Sequence, residues 1–363
     1  MLLNIENLQK EAFRDKPYSL PQDDKNKLLL KWLNTLTEFH YRKCPEYKKI
    51  LNSMWKGFTD YSSLKDFPYL PVSIFKNLDL ISTKTKDIKI TLTSSGTTGQ
   101  NVSKIFLDVS ASTIQQKALA NSLSKFLGAK RLPMLVIDTK SVFNNPKLMS
   151  ARGAGVLGLM RYGTDHHFAL DENGEPDFKE VKKFLKKYKG KPFFMFGFTF
   201  MVWKEFYNKF KSHGLDLSNG VLIHSGGWKK MIEEAVSPNE FRSSITEEFN
   251  LDSIYNFYGM VEQIGSLFFE GPSNLLYPPN FADVIIRDPE TFEPLPNGKE
   301  GLIQVLSMLP TSYPGNSLLT EDLGIIENID PNVDGWMGKG LRIIGRVPKA
   351  ELRGCSDVIG ETS

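Results

Sequence analysis

Ile88-Lys89-Ile90-Thr91-Leu92-Thr93-Ser94-Ser95-Gly96-Thr97-Thr98-Gly99 is the stretch on which the reading of this chain turns. Ile88, Ile90 and Leu92 alternate with polar residues, the period-two pattern of a strand. The alternation then stops in a loop made of glycines, serines and threonines. Glycines let a backbone turn its N–H groups toward a polyphosphate. Ser94, Ser95, Thr97 and Thr98 add hydroxyl donors, and Lys104 offers a cation. No Gly-Lys-Ser/Thr closes the loop, so it is not a Walker loop. The plain alternative, a turn linking two strands, leaves so many glycines and hydroxyls without a packing purpose. Ile105–Val109 reads as the second arm of a hairpin.

Working outward, the first ninety or so residues read as helical. Leu28, Leu29, Trp32, Leu33, Leu36 and Phe39 form one stripe, and Pro68 and Pro71 break the pattern. Past the loop, Ala111–Phe126, Phe178–Tyr188, Met201–His213 and Asn239–Phe249 read as helices. Met134–Asp138, Phe193–Phe198, Gly220–His224 and Ser253–Phe257 read as strands. Strands alternating with helices predict a mostly parallel sheet covered on both faces. From Phe281 the pattern changes. Val284–Arg287, Gly301–Leu306 and Leu323–Asn328 are short strands split by Pro and Gly, as in a small β-rich subdomain. The predicted division is a helical region at 1–87, a core at 88–345 whose β-rich part is about 281–345, and a tail at 346–363.

Composition narrows the function classes. The 363 residues are 40% hydrophobic and 24% charged, which allows a large core, and the net charge of only +3 argues against a nucleic-acid binder. Lysines cluster within Lys179–Lys191, where apolar residues recur at helical spacing; the bland reading is a solvated helix face. Two cysteines, Cys44 and Cys355, make a disulfide scaffold unlike this chain and a reducing cytoplasm its expected home. Met1–Glu11 lacks a basic region and a long apolar run, so no signal peptide is expected. The apolar block Pro192–Trp203 is too short to span a bilayer, and no integral membrane segment is expected. It can line a tunnel for an apolar chain, though sheet core explains most of it. His166-His167 point to opposite faces of an extended chain, which speaks against a metal site.

Four further motifs follow the loop. In Asn256-Phe257-Tyr258-Gly259-Met260-Val261-Glu262, a Tyr beside a Gly can offer a flat face to a purine, and Glu262 can hold Mg²⁺. A core Tyr and a surface Glu explain it as well. The glycines of Ser225-Gly226-Gly227-Trp228 can let a nucleobase lie against the backbone, or make a simple strand-to-helix turn. In Leu318–Gly324, Asp322 can accept hydrogen bonds from ribose hydroxyls, or be a turn Asp before Gly324. Gly345-Arg346 alone is a turn with a surface Arg.

Together, in this order, the motifs resemble the adenylate-forming superfamily of acyl-CoA synthetases, luciferases and peptide-synthetase adenylation domains. Thr93–Lys104 is similar to its phosphate loop, Asn256–Glu262 to its Asn-x-Tyr-Gly-x-Thr-Glu motif, Asp322 to its ribose-binding Asp and Gly345-Arg346 to its hinge motif. Within it the chain most resembles the LuxE acyl-protein synthetases, relatives of phenylacetate-CoA ligases. Those marks are the length, Leu70–Lys76, His224–Lys229 and the ending Arg353-Gly354-Cys355-Ser356-Asp357. The resemblance implies an α/β fold: an adenylate-forming (acyl-CoA synthetase-like) large domain with mostly parallel sheets flanked by helices and a small β-rich subdomain. It implies ATP and Mg²⁺, a fatty acid as substrate, and an acyl-accepting protein such as a fatty-acid reductase. Mg²⁺ on Glu262, the loop residues Thr93–Gly99 and Lys104 would hold the triphosphate. Tyr258 with Gly226 and Gly227 would sandwich the adenine, and Asp322 and Arg346 would hold the ribose. Cys355 would take the acyl group as a thioester, with Arg353 favouring its thiolate. It lies nine residues past Arg346, a reach of roughly 30 Å when extended.

The sequence also departs from the pattern. The superfamily's Thr before the Glu is Val261, and the Asp expected three residues after Gly-Arg is Lys349. The chain given ends at Ser363, so the superfamily's mobile C-terminal domain is expected to be absent or reduced to a short tail. Lys104, Arg346 or Lys349 would then cover part of its catalytic lysine's role. Two other readings remain: an acyl- or aryl-CoA ligase with Cys355 a bystander, or a non-catalytic nucleotide-binding scaffold in a lipid or polysaccharide pathway.

Overall fold

Split, alternating strands and continuous apolar strands bury themselves in different ways, and the molecule sorts them accordingly. The computed structural model describes residues 3–94, 102–143, 152–228 and 235–347. They divide into two units. The first takes 3–94, 102–125 and 259–347; the second takes 126–143, 152–228 and 235–258.

In the first unit the strands run in the order Ala282–Arg287, Gly301–Ser307, Ser317–Ile329, Lys339–Arg346, Leu276–Tyr277, Phe268–Glu270, each antiparallel to the next. Leu70–Pro71 pairs in parallel with Ser317–Ile329. Ile88–Thr93 and Lys104–Asp108 form a separate antiparallel hairpin, with Thr93 opposite Lys104. The expected stripe is part of the helix Gln22–Lys43, which buries Leu29, Trp32, Leu33 and Leu36. Its N-terminus is fixed by charge. Gln22 donates its backbone N–H to Asp330 at 3.0 Å and its side-chain amide to Asp283 at 2.9 Å. Lys25 is 1% exposed and donates to the carbonyl of Pro278 at 2.9 Å; burial pushes its pKa down to about 8. Lys339 completes the cluster, 2.8 Å from the fully buried Asp283. Removing charge from water is costly, so such groups persist only when paired like this.

The second unit holds the continuous apolar runs. Its parallel strands lie in the order Ser253–Tyr258, Gly220–Ser225, Phe193–Phe198, Leu132–Thr139, Gly163–Leu170. Every residue of Phe193–Phe198 is buried, as strands covered on both faces require. Gly163–Leu170 escapes the sequence reading because it is the edge strand: Thr164, Asp165 and His166 face solvent and dilute its apolar pattern. Met201–His213 reads as one regular helix but is not. Thr199–Met201 is α-helical, Val202–Tyr207 winds as a π-helix, and Asn208–Phe210 closes the segment. The wide turn accompanies the stacking of Trp203 on Tyr207 at 4.5 Å.

Candidate active site

In the first unit the hairpin fixes the neck of the glycine-rich loop. The backbone N–H of Ser94 donates to the carbonyl of Ser103 at 3.1 Å, and the N–H of Ser103 donates to Ser94 Oγ at 2.9 Å. Ser95, Gly96, Thr97, Thr98 and Gly99 lie outside the described residues. Lys104, the first residue of the returning strand, is half exposed; its carboxylate neighbour Asp79 stands 3.7 Å away. A loose exposed pair of this kind is worth at most about 1 kcal/mol, so the ammonium is readily drawn to an anion.

The neck meets Glu262. The Ser103 side chain hydrogen-bonds the Glu262 carboxylate, and the charges of Lys76 and Arg346 act on it as well. Glu262 is 6% exposed. Burial raises its carboxyl pKa above the usual range, while the Ser103 bond and the two cations oppose that rise. The turn Val261–Gln263 is locked from below. Tyr313 donates its hydroxyl to the carbonyl of Glu262 at 2.8 Å, and the Gln263 amide donates to the carbonyl of Gly315 at 2.7 Å. Gly315 is required here, since a Cβ would lie 2.9 Å from the Glu262 carbonyl. Arg346 joins Glu262 to Asp322: its Nε donates to Asp322 Oδ1 at 2.8 Å, across strands whose register sets Asp322 opposite Arg346. One anionic oxygen donor set flanked by two cations and a hydroxyl suits a phosphate-rich anion and its hard counter-ion.

In the second unit, the direction in which successive strands are added reverses between the parallel neighbours Leu132–Thr139 and Phe193–Phe198: the first leads to the edge strand, the second to Gly220–Ser225 on the other side. Ligands of open α/β sheets bind beyond carboxyl strand ends at such a reversal. The ends here are well furnished. Arg152 clasps Asp138 with two bonds of 2.6 and 2.5 Å, both side chains almost fully buried. Thr199 Oγ1 and His224 Nδ1 share a hydrogen bond of 2.9 Å; burial, with the charge of Arg242, holds the His224 pKa down to about 3 and its ring neutral. Ser225 donates its hydroxyl to the carbonyl of Phe257 at 3.0 Å, tying the Ser225-Gly226-Gly227 turn to the strand that carries Asn256 and Tyr258. Gly226 has φ +88°, a conformation that favours glycine, and Gly227 has open space where a Cβ would be.

Several sequence readings change. Glu262 is not a surface residue but a buried one. Gly345-Arg346 is not a turn; it ends the strand Lys339–Arg346, where ladder pairing aims Arg346 at Asp322. Asp322 sits inside a strand and is not a turn Asp. Tyr258 is half-buried and Gly259 exposed. Cys355, Arg353 and Lys349 lie outside the described residues. Cys44 is buried between the helices Gln22–Lys43 and Pro45–Met54. The sequence reading gives no role to Lys76 and Ser103, which act on Glu262, to Thr199, which bonds His224, or to the Asp138–Arg152 pair. Asp138 carried one usable signal, a charge at the end of an apolar strand; Arg152 carried none. Among the described residues no group of three or more His, Cys, Asp or Glu can hold a metal ion, and no helix is long and apolar enough to cross a membrane.

The model of the family described as acyl-protein synthetase, LuxE, matches residues 2–363. The long-chain-fatty-acid–luciferin-component ligase of Aliivibrio fischeri is 24% identical over 357 residues, spanning 95% of this chain and 91% of that protein. Its counterpart from Vibrio harveyi is 24% identical over 364 residues, spanning 95% and 90%. Among solved structures, an open conformation of 2-hydroxyisobutyryl-CoA ligase with 2-HIB-AMP and CoA has the same fold. Its TM-score is 0.67 at 17% identity, covering 92% of this chain and 77% of that one.

Proposed function

Because the chain belongs to the acyl-protein synthetase, LuxE, family, we propose that it activates a long-chain fatty acid with ATP as an acyl-adenylate and passes the acyl group to a protein thiol. The observation that supports this most is the buried Glu262, bonded to Ser103 at the neck of the glycine-rich loop and flanked by Lys76 and Arg346. The names of the A. fischeri and V. harveyi relatives supply the acid, a long-chain fatty acid.

The first half-reaction brings two anions together. A carboxylate oxygen attacks the α-phosphorus of ATP, the bond to the β-phosphate oxygen breaks, and pyrophosphate leaves. Such transfer is mainly positioning and electrostatics. Lys104, Lys76 and the loop N–H groups counter the triphosphate charge, and Asp322, held by Arg346, accepts from the ribose hydroxyls. Tyr258 and the Gly226-Gly227 backbone take the adenine faces. Oxygen donors at Glu262 and Ser103 fit Mg²⁺, and Glu262 would hold it; when bound, Mg²⁺ neutralises charge on the triphosphate. In the second half-reaction the Cys355 thiolate attacks the acyl carbonyl and AMP leaves. The tail 346–363 then carries a thioester for an acceptor protein such as a fatty-acid reductase, in a reducing cytoplasm that keeps Cys355 a thiol.

The test is labelling with radioactive fatty acid and ATP. A hydroxylamine-labile label on the protein is expected, and it disappears in Cys355→Ser while acyl-adenylate still forms. Full-rate acyl transfer to coenzyme A by Cys355→Ser would instead favour an acyl-CoA ligase. No adenylate with any fatty acid would leave a nucleotide-binding scaffold.

A further inference from the structure

The helix Phe178–Lys187 carries a charge pattern that nucleotide chemistry leaves unused. Val181 and Phe184 are buried, and Phe184 packs against His167 at 5.1 Å and Phe193 at 5.3 Å. The other face is lysine: 179, 182, 183, 186 and 187, all exposed, at spacings of three and four that set them in one stripe. Lys189 extends the stripe past the helix end. Beside it, Phe178 meets Phe210 at 4.7 Å and His213 at 4.4 Å, bringing in the segment that bears Lys209 and Lys211.

Two of these lysines are spoken for. Lys183 pairs with Glu180 at 3.2 Å and Lys187 with Asp165 at 2.6 Å. Glu180 and Asp165 also flank His167, at 2.5 and 3.2 Å, so the two carboxylates dock the helix on its sheet. The remaining ammoniums repel one another at three- and four-residue spacing, which destabilises an isolated helix. A surface shaped only for solubility intersperses both signs. With a net charge of +3 for all 363 residues, so one-sided a concentration is local.

We propose that this stripe docks the protein on an anionic lipid surface. Two features favour lipid over an acidic protein. The lysines are spread along one helix face and are not gathered around a single point, which suits a fluid array of head groups. And the acid named for the relatives is a long-chain fatty acid, which partitions into bilayers. Each lysine near an anionic leaflet is worth roughly fivefold in partition, and the attraction falls off within a Debye length.

The experiment is vesicle co-flotation of the full chain at about 0.1 M salt. Binding is expected to phosphatidylglycerol-containing vesicles but not to pure phosphatidylcholine, with release at about 1 M salt. The triple variant Lys182→Gln, Lys186→Gln, Lys189→Gln is expected to lose about a hundredfold in partition. The matching glutamate triple, which reverses the three charges, should lose more. Both should form acyl-adenylate from dissolved fatty acid at the unaltered rate, which certifies their fold. Failure of the unaltered protein to float, or equal flotation by the glutamate triple, overturns the proposal; the first result would leave the stripe to an acidic protein surface.

Discussion

Two buried charge sets, one from each unit, are built differently. In the second, Asp138 and Arg152 face each other with two short bonds and both side chains almost fully buried, so the pair is closed on itself. In the first, buried Glu262 has one hydroxyl partner and two cations in electrostatic reach, and one of those cations also binds Asp322. A closed pair cancels its charge and serves the fold. An open set, whose cations are not closed on one carboxylate, can receive an anionic substrate at some cost to stability. Burial in a low-dielectric site is what makes such a set effective, since charges act there with little screening from water.

The largest expected effect tests the closed pair. Asp138→Ala leaves a buried guanidinium uncompensated and should lower stability by about 3–5 kcal/mol in chemical denaturation. Asp138→Leu with Arg152→Met together should lose far less, because no lone charge remains. A small loss from Asp138→Ala would erase the contrast between the units.

Glu262→Gln tests the open set. Acyl-adenylate formation should slow by about 10²- to 10³-fold, while the unfolding midpoint holds or rises. The sign follows from the raised carboxyl pKa. The native state keeps a proton that the unfolded chain releases near 4.5, so the stability this group contributes is present at low pH and is lost as pH rises through the raised value. Comparing unfolding of wild type and Glu262→Gln across pH 4–7 should therefore show a smaller loss with rising pH in the variant.

Asp322→Asn removes a charged acceptor but keeps the shape. It should raise the KM for ATP by about 10- to 100-fold, with a smaller change in kcat. A further comparison sets one buried histidine from each unit side by side. His40 donates from Nε2 to the carbonyl of Pro310 and accepts at Nδ1 from Ser82, His224 shares a hydrogen bond with Thr199, and burial holds each pKa down to about 3. Both must charge on unfolding in acid. Their stability is full above about pH 6.5 and falls as pH drops from there toward 3, by about 1.4 kcal/mol per unit for each ring. His224→Gln and His40→Gln should each flatten that slope, measured by denaturation at fixed pH steps.

Much of the fold was legible because the patterns were local. Phe193–Phe198 announced a doubly covered strand by its unbroken apolar run, and Ile88–Thr93 a hairpin arm by its alternation. Gly163–Leu170 was not legible, since an edge strand's exposed face carries polar residues that read as loop. The site divided in the same way. Glu262 and Asp322 stood in motifs of fixed spacing. Lys76 and Ser103 reach Glu262 only through tertiary packing, and the Asp322–Arg346 pair depends on strand register over 24 residues. Nothing local in the sequence encodes such encounters.

The most direct test of the central account is exchange of labelled pyrophosphate into ATP, measured with and without a long-chain fatty acid. The account expects acid-dependent exchange in the unaltered protein, the same exchange in Cys355→Ser, and almost none in Glu262→Gln. Exchange undiminished in Glu262→Gln, or absent from the unaltered protein with every fatty acid, would contradict it.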